Sequence, residues 1–231
     1  YGWNATAGNA IYDFSKNLFP WLSIYDAGGN DTIDMSGANA SVYINLNAGA
    51  VSSGAAAVPS AAVINAISDE IDAVFPGTFE PVDDDLADFL RGFVPAEYEP
   101  ILAFETGVDG LGVTAHDNLS IAYGTVIENA IGSTQRDYLI GNEVANVLRG
   151  LGGDDVLDGK AGADTLFGGS GADRFVFGTI EQGDRIGDFE SVDTIDLRPT
   201  GIDFTWIADA AFSGVAGELR FANGRLEGDV N

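Results

Sequence analysis

Between residues 132 and 176, one apolar side chain recurs every nine residues within a background of glycine and aspartate. Position one of each nonapeptide is Gly, position six is Asp or Asn, and position eight is Leu or Phe. The five units are GSTQRDYLI from Gly132, GNEVANVLR from Gly141, GLGGDDVLD from Gly150, GKAGADTLF from Gly159 and GGSGADRFV from Gly168. Isolated Gly and Asp residues usually mark turns, but three aligned columns over five units indicate a repeat architecture.

The period predicts the local structure of each unit. Six Gly-rich residues form a bend that needs positive φ at several places, which glycine adopts at little steric cost. The last three residues form a short strand whose middle side chain points inward. Because one unit cannot bury its own apolar side chain, successive coils must stack, and two units make an 18-residue coil. The predicted fold is therefore all-β, a right-handed parallel β-roll with flanking β-sandwich-like strands.

Stacking the coils places the position-six side chains in two columns. Asp137, Asp155 and Asp173 line one edge of the roll, and Asn146 and Asp164 line the other. At the spacing of stacked strands, about 4.8 Å, two carboxylates repel by roughly 1 kcal/mol in water and roughly 3.5 kcal/mol at an effective dielectric near 20. Such a column needs a cation, and carboxylate and carbonyl oxygens are the donors that calcium prefers. The repeats therefore predict several bound Ca²⁺ ions.

Composition and charge exclude several classes of partner and site. The chain has 36 Asp and Glu against 10 Lys and Arg, a formal net charge of −26, so nucleic acid and anionic membrane surfaces are unsuitable partners. The absence of cysteine and the single histidine, His116, exclude disulfides, thiolate metal sites and a multi-histidine zinc site within these residues. No apolar run approaches the roughly 20 residues that cross a bilayer, so membrane insertion is not expected.

A helical insertion is predicted for residues 55–116. Apolar residues recur at helical spacing in 60–75 and in 82–92, and a short third helix is predicted for 96–104. These helices either pack on the flank of the roll as ordinary core or form a docking surface whose acidic face favours basic partners. The sequence does not choose between the two.

Several segments outside the repeats resemble one known domain. They are YGWN from Tyr1, IYDAGGNDTID from Ile24, YINLN from Tyr43, SIAYG from Ser120 and IENAIG from Ile127. The nonapeptides themselves match the calcium-binding repeat of RTX proteins. Together these segments resemble the C-terminal β-roll domain of the serralysin family, which are secreted bacterial zinc metalloendopeptidases. The resemblance implies a calcium-loaded roll that follows a catalytic domain and supports its export and folding.

The resemblance also implies a set of calcium ligands. Outside the repeats, these are Asp26, the backbone of Gly28 and Gly29, Asp31, Glu128 and Asp184. Within the repeats, side-chain oxygens and backbone carbonyls would come from Asp137, Asn142, Asn146, Gly150, Gly152, Gly153, Asp155, Gly159, Ala161, Gly162, Asp164, Gly168, Gly169, Gly171 and Asp173.

Some repeats depart from the family pattern. Ser133 and Gln135 stand where glycines are usual, which weakens the calcium site of the first repeat. Asn146 replaces Asp in the second repeat, which removes a charge but keeps a side-chain oxygen. Leu151 replaces the second glycine of the third repeat.

The family's other parts are expected outside these residues. The catalytic HExxHxxGxxH motif does not occur here, so the resemblance places it, with its zinc ion, in a domain that precedes Tyr1. A C-terminal secretion signal, read by a type I exporter, is expected beyond Asn231, and the location is expected to be extracellular. The expected organisation is N-terminal strands with the first calcium loop in 1–54, the insertion in 55–116, the roll in 117–189, and capping strands in 190–231.

Two other classes of function remain open. One is an enzyme module, in which the chain itself hydrolyses a substrate, although no catalytic residue is predicted here and incubation with casein tests for activity. The other is a calcium-binding roll of an adhesin, a surface-layer protein or a carbohydrate-active enzyme, because fold does not fix function. The sequence upstream of Tyr1 distinguishes them, since an HExxH helix there identifies a protease parent.

Overall fold

The described chain consists almost entirely of short β-strands. The computed structural model describes residues 2–4, 8–14, 22–54, 107–109, 111, 113, 119–178, 183–207, 210–222 and 225–229. The strands are β1 (Gly2–Asn4), β2 (Ile11–Asp13), β3 (Leu22–Tyr25), β4 (Thr32–Asp34), β5 (Tyr43–Asn45), β6 (Val51–Ser52), β7 (Leu119–Ile121), β8 (Asn129–Ile131), β9 (Tyr138–Ile140), β10 (Val147–Gly152), β11 (Val156–Asp158), β12 (Thr165–Ser170), β13 (Arg174–Val176), β14 (Arg185–Ile186), β15 (Thr194–Asp196), β16 (Thr205–Trp206), β17 (Glu218–Ala222) and β18 (Arg225–Asp229). A 3₁₀ turn at Arg198–Thr200 is the one helical element among these residues.

Strands β1 to β15 stack into three sheets that run along one axis. Sheet one has the order β1-β3-β7-β6, sheet two the order β2-β4-β8-β10-β12-β14, and sheet three the order β5-β9-β11-β13-β15. Within sheets two and three all neighbouring strands are parallel. The chain therefore winds as a solenoid, which confirms the predicted parallel β-roll. Strands β1 to β5, predicted to flank the roll, are stacked within it.

The coil length changes along the axis. In the repeat region Val147 pairs with Thr165 and Val156 with Arg174, so one coil takes 18 residues, as predicted. At the N-terminal end Ile11 pairs with Thr32, a spacing of 21 residues. The longer coils also cross sheet one, whereas the repeat coils pass only between sheets two and three.

The core of the roll is a column of position-eight side chains. Each is fully buried, with 0% of its surface exposed; they are Leu139, Leu148, Leu157, Leu166 and Phe175. The column continues into the N-terminal coils through Ile24, Ile33 and Ile44, which are also fully buried. Since each side chain is covered by the coils above and below it, no single coil could bury its own apolar residue.

Three described residues of the connection between β6 and β7 pack against sheet three. Val108, Leu111 and Val113 are buried and pack with Val156 against partly buried Tyr43, Tyr138 and Val176 of sheet three. The helices predicted at 60–75, 82–92 and 96–104, and His116, lie outside the described residues. Among the described residues, no helix is long and apolar enough to cross a bilayer.

The C-terminal strands fall in two different sheets. Residues 193–197 and 218–221 were both predicted to be strands of a small capping sheet. Instead, β15 pairs in parallel with β13, Phe175 facing Ile195, and so forms the edge of sheet three. The pairing places the half-buried Ile195 next to Phe175, the last position-eight side chain of the repeats. β17 does lie in a separate sheet, between β16 and β18.

Candidate metal centre

The bends of the last three repeats share an unusual backbone. Positive φ occurs at position two and at position four of each: Leu151 (83°) and Gly153 (109°), Lys160 (68°) and Gly162 (122°), and Gly169 (98°) and Gly171 (136°). We call residues 150–155, 159–164 and 168–173 the open bends. Glycine is the residue suited to these angles, and it occupies four of the six positions. The two other positions hold side chains under backbone strain.

Glycine is also required because the bends of successive coils touch through their backbones. A Cβ on Gly162 would lie 2.6 Å from the carbonyl oxygen of Val144, and a Cβ on Gly153 would lie 2.5 Å from that of Gln135. A Cβ on Gly171 would collide with the carbonyl oxygen of Gly153. Carbonyl oxygens are therefore packed closely at the edges of the roll, as a site for a hard cation requires.

The position-six side chains form a ladder along each edge. Asp155 Oδ1 accepts a hydrogen bond from the backbone N–H of Asp137 (2.8 Å), and Asp173 Oδ1 accepts one from that of Asp155 (2.9 Å). On the other edge Asp164 Oδ1 accepts from the backbone N–H of Asn146 (2.8 Å). The two columns predicted from the sequence are thus confirmed, and each carboxylate connects its bend to the preceding coil.

Among the residues that the structure describes, three carboxylates each bury one oxygen that has no hydrogen-bond partner. Asp155 Oδ2 and Asp173 Oδ2 in the open bends, and Asp31 Oδ2 in the first loop, are buried and accept no hydrogen bond. These residues are 0%, 1% and 0% exposed, respectively. A buried, unpaired polar atom is destabilising, and more so when it carries charge. The residues present therefore fit a cation held by these oxygens.

Burial raises the pKa of the three aspartates along the first edge of the roll. Burial, together with the nearby charge of Asp137, raises the pKa of Asp155 to about 8. Burial likewise raises the pKa of Asp137 to about 7, although its hydrogen bonds oppose the rise. The pKa of Asp173 is raised by burial and by the charges of Asp193 and Asp188. Without a cation, these carboxylates hold protons much more tightly than an exposed carboxylate does.

The first predicted loop brings its three carboxylates together. Asp31 Oδ1 accepts from the backbone N–H of Ala10 (2.6 Å), and the backbone N–H of Asp31 donates to Glu128 Oε2 (2.7 Å). Asp26 accepts from the Tyr12 hydroxyl and, at 2.9 Å, from the backbone N–H of Gly28. Burial, with a contribution from the charge of Asp26, raises the pKa of Asp31.

Glycines shape this first loop as well. Gly28 and Gly29 have φ of 117° and 159°. A Cβ on Gly29 would lie 2.8 Å from the carbonyl oxygen of Gly8, so the loop packs directly on the preceding coil.

Three carboxylates of the last coil accept hydrogen bonds from the open bends, one of them predicted as a ligand and two not. Asp184 Oδ1 accepts from the backbone N–H of Asp164 (3.0 Å), which places Asp184 on the second edge. Asp193 Oδ1 accepts from the backbone N–H of Asp173 (3.0 Å), and Asp188 accepts from those of Gly168 and Gly169 (3.0 Å each). The sequence contained a signal for Asp193: it begins the tetrapeptide DTID, and the same tetrapeptide begins at the predicted ligand Asp31.

The bends of the first two repeats are built differently. Residues 132–137 and 141–146, which we call the closed bends, contain no residue with positive φ. Ser133 Oγ accepts from the backbone N–H of Gln135 (3.0 Å), and Asn142 Oδ1 accepts from that of Val144 (3.1 Å). A side chain at position two therefore shapes each closed bend, as in other turns that Ser and Asn stabilise.

Acidic side chains alone do not form a metal cage here. Among the described residues, no group of three or more His, Cys, Asp or Glu side chains is arranged to hold a metal ion. A cation at an open bend would therefore take most of its ligands from backbone carbonyls, which are ordinary calcium ligands.

Replacing Leu151 by glycine is expected to stabilise the roll. Leu151 has a φ of 83°, so the change relieves backbone strain, and since the residue is 38% exposed the loss of buried surface is smaller than for a core leucine. The expected gain in the free energy of unfolding is about 0.5–1 kcal/mol after the greater entropy of the unfolded chain is subtracted. Val144→Gly is the matched control, because Val144 is also 38% exposed but has no positive φ. Denaturant unfolding should show a gain for Leu151→Gly and a loss for Val144→Gly; a loss in both would contradict the strain argument.

Comparison with known proteins identifies the family. The family model described as peptidase M10 serralysin C terminal matches residues 1–72 and 102–225. The chain is 36% identical over 204 residues to Metalloprotease AprA of Pseudomonas entomophila (strain L48), covering 85% of this chain and 30% of that protein. It is 34% identical over 235 aligned residues to Metallopeptidase AprA of Pseudomonas marginalis, covering 97% of this chain and 37% of that protein. The chain thus spans about a third of the length of these relatives. It belongs to the serralysin C-terminal family of the M10 peptidases.

Proposed function

We propose that this chain is the calcium-binding domain of a secreted serralysin-like metalloendopeptidase, and that it folds when it binds calcium outside the cell. The observation that carries the proposal is the set of buried, unpaired oxygens Asp31 Oδ2, Asp155 Oδ2 and Asp173 Oδ2. A bound cation would neutralise these oxygens and remove the repulsion between neighbouring carboxylates. The chain has few basic side chains that could neutralise these carboxylates instead, because it contains only 10 Lys and Arg against 36 Asp and Glu.

The open bends and the first loop are the proposed ligand set. Asp155, Asp164 and Asp173 would supply carboxylate oxygens, and Asp184 would complete the second edge. Backbone carbonyls would come from Gly150, Gly152, Gly153, Gly159, Ala161, Gly162, Gly168, Gly169 and Gly171. In the first loop the ligands would be Asp26, the backbone of Gly28 and Gly29, Asp31 and Glu128.

The proposed mechanism couples folding to calcium binding. In low calcium the carboxylates of the open bends repel one another and keep that part of the chain extended, which suits passage through a narrow exporter. Extracellular calcium would fill sites with dissociation constants of roughly 10⁻⁴–10⁻³ M, the range of extracellular modules. Binding to the folded state alone stabilises that state by mass action. The ion therefore supplies the free energy that the roll lacks inside the cell.

We propose that the proteolytic activity belongs to another domain of the parent protein. Both relatives are named as metalloproteases or metallopeptidases, and each is about three times as long as the matched part. A catalytic domain preceding Tyr1 would hold the zinc ion, and a secretion signal beyond Asn231 would engage a type I exporter. Reading the coding sequence upstream of Tyr1 tests this directly, since the absence of an HExxH motif there would exclude a protease parent.

Calorimetric titration of calcium into chelator-treated chain tests calcium binding itself. We expect saturable binding at submillimolar to millimolar calcium with a simultaneous gain of β circular dichroism. Magnesium is the control ion, because it requires a tighter octahedral site and should produce little change. A parallel incubation with casein should show no hydrolysis. Absence of calcium binding, or an equal response to magnesium, would reject the proposal.

A further inference from the structure

We propose that the two closed bends hold no calcium, and that Ser133 and Asn142 close them in place of the ion. The inference rests on the proposed function, because it divides the bends of a calcium-binding roll into two kinds. It removes Asp137, Asn142 and Asn146 from the ligand set that the family resemblance implies. Two of the five bends in the repeat array are then closed without an ion, and the other three depend on calcium.

The first closed bend satisfies its own carboxylate. Asp137 Oδ2 accepts from the backbone N–H of Ser133 at 2.5 Å, and Asp137 Oδ1 accepts from the Ser133 hydroxyl at 2.9 Å. Asp137 Oδ1 also accepts from the backbone N–H of Val42 at 2.7 Å. Asp155 occupies the same position one coil later, yet its Oδ2 has no donor. Because both oxygens of Asp137 already have protein donors, nothing in this bend requires a cation.

The second closed bend presents amide hydrogens where a metal site needs oxygens. Asn142 Nδ2 donates to the carbonyl oxygens of Ile127 (2.9 Å) and Leu46 (3.2 Å), and Asn146 Nδ2 donates to that of Glu128 (3.0 Å). The side-chain oxygens are also engaged: Asn146 Oδ1 accepts from the backbone N–H of Asn142 at 2.8 Å. Both residues are neutral and buried. This bend therefore offers no negative charge and uses its acceptors internally.

The backbone supports the same division. In the open bends, positive φ at positions two and four accompanies the close approach of carbonyl oxygens, such as that of Gly153 to Gly171. Positions two and four of the closed bends hold Ser133, Gln135, Asn142 and Val144, none with positive φ. The closed bends thus lack the backbone conformation of the open ones, and they also lack the unpaired carboxylate oxygen that Asp155 and Asp173 provide in two of the open bends.

A matched pair of substitutions tests the inference. Asp137→Asn and Asp155→Asn change the same repeat position on the same edge, and both residues are 0% exposed. Bound calcium per chain is counted by native mass spectrometry in the 231-residue chain. We expect Asp155→Asn to lose at least one ion and Asp137→Asn to keep the full number. Loss of an ion in Asp137→Asn overturns the inference, whereas a parent chain that binds no calcium overturns the proposed function instead.

Hydrogen exchange covers the case in which Asp137→Asn does not fold. The unsubstituted chain is compared in calcium and in chelator, with exchange followed by peptide. We expect residues 138–149 to stay protected in chelator while residues 156–178 lose protection by tenfold or more. Equal loss in the two segments, or no loss in either, contradicts the division into closed and open bends.

Discussion

Removing calcium at pH 8 is expected to unfold the coils of the roll that contain the open bends. A hundredfold excess of free calcium over the dissociation constant stabilises the folded state by about 2.7 kcal/mol per site. For two sites this corresponds to a fall in Tm of about 10–20 °C when the ion is removed, at about 2–4 °C per kcal/mol for a domain of this size. The loss should be larger in practice, because the acidic edges then repel without compensation.

Acidification should partly reverse this loss in the absence of calcium. The folded-state pKa values of Asp155 (about 8) and Asp137 (about 7) lie above the ordinary value of 3.8. Groups whose pKa is raised on folding stabilise the folded state fully below the unfolded pKa, and this stabilisation is lost as pH rises through the folded pKa. Each fully shifted group changes the free energy of unfolding by about 1.4 kcal/mol per pH unit in that window. The metal-free roll should therefore be more stable at pH 5 than at pH 8.

Circular dichroism melts at pH 5 and pH 8, with and without calcium, measure both effects. In calcium, stability should be greater at pH 8, since protons compete with the ion for the same oxygens at pH 5. The order should reverse in chain depleted of calcium by chelation and desalting. The same pH dependence in both conditions would contradict the assignment of the Asp155 carboxylate to a cation site.

Gly171→Ala is expected to produce the largest destabilisation of any single methyl addition at the open bends. Its φ is 136°, and the new Cβ would collide with the carbonyl oxygen and carbon of Gly153, which belong to the backbone and cannot rotate away. Overpacking and an unfavourable φ together predict a loss of about 2–5 kcal/mol in the free energy of unfolding. Calcium affinity should fall as well, because the bend must shift to accommodate the methyl group.

Gly214→Ala is the matched control for backbone strain. Gly214 also has a positive φ, 84°, but a Cβ there meets no atom within 4 Å. Only the left-handed conformation is penalised, so the expected loss is about 1–2 kcal/mol. Denaturant unfolding in saturating calcium compares the two variants. Equal losses would mean that the contact between successive bends contributes nothing.

The parts of the fold that repeat were predictable, because periodic burial is visible in sequence. The column from Leu139 to Phe175 and the two edges of position-six side chains follow from the nine-residue period alone. Asp184 and Glu128 were expected to be ligands because of the family resemblance, and in the structure they accept hydrogen bonds from the backbone N–H groups of Asp164 and Asp31, respectively.

What could not be predicted depends on partners distant in sequence. The sequence predicted that Asp137 would need a cation. In the structure its oxygens instead accept hydrogen bonds from the backbone N–H groups of Val42, which lies far earlier in the chain, and of Ser133. Sheet one has no sequence period, since the chain crosses it in only a few coils. Asp193 was missed because the last coil lengthens from 18 to 20 residues, which removes it from the nonapeptide register.

The junction between β6 and β7 is a point at which the roll can accommodate an insertion. β6 runs antiparallel to β7, with Val51 opposite Ser120, so the long connection leaves and re-enters the stack side by side. Closing a loop whose ends already meet becomes only about 0.6 kcal/mol less favourable with each doubling of length. The coils on either side keep their register whatever lies between. Evolution can therefore enlarge, shrink or exchange the segment at this junction while the stack of parallel strands stays the same.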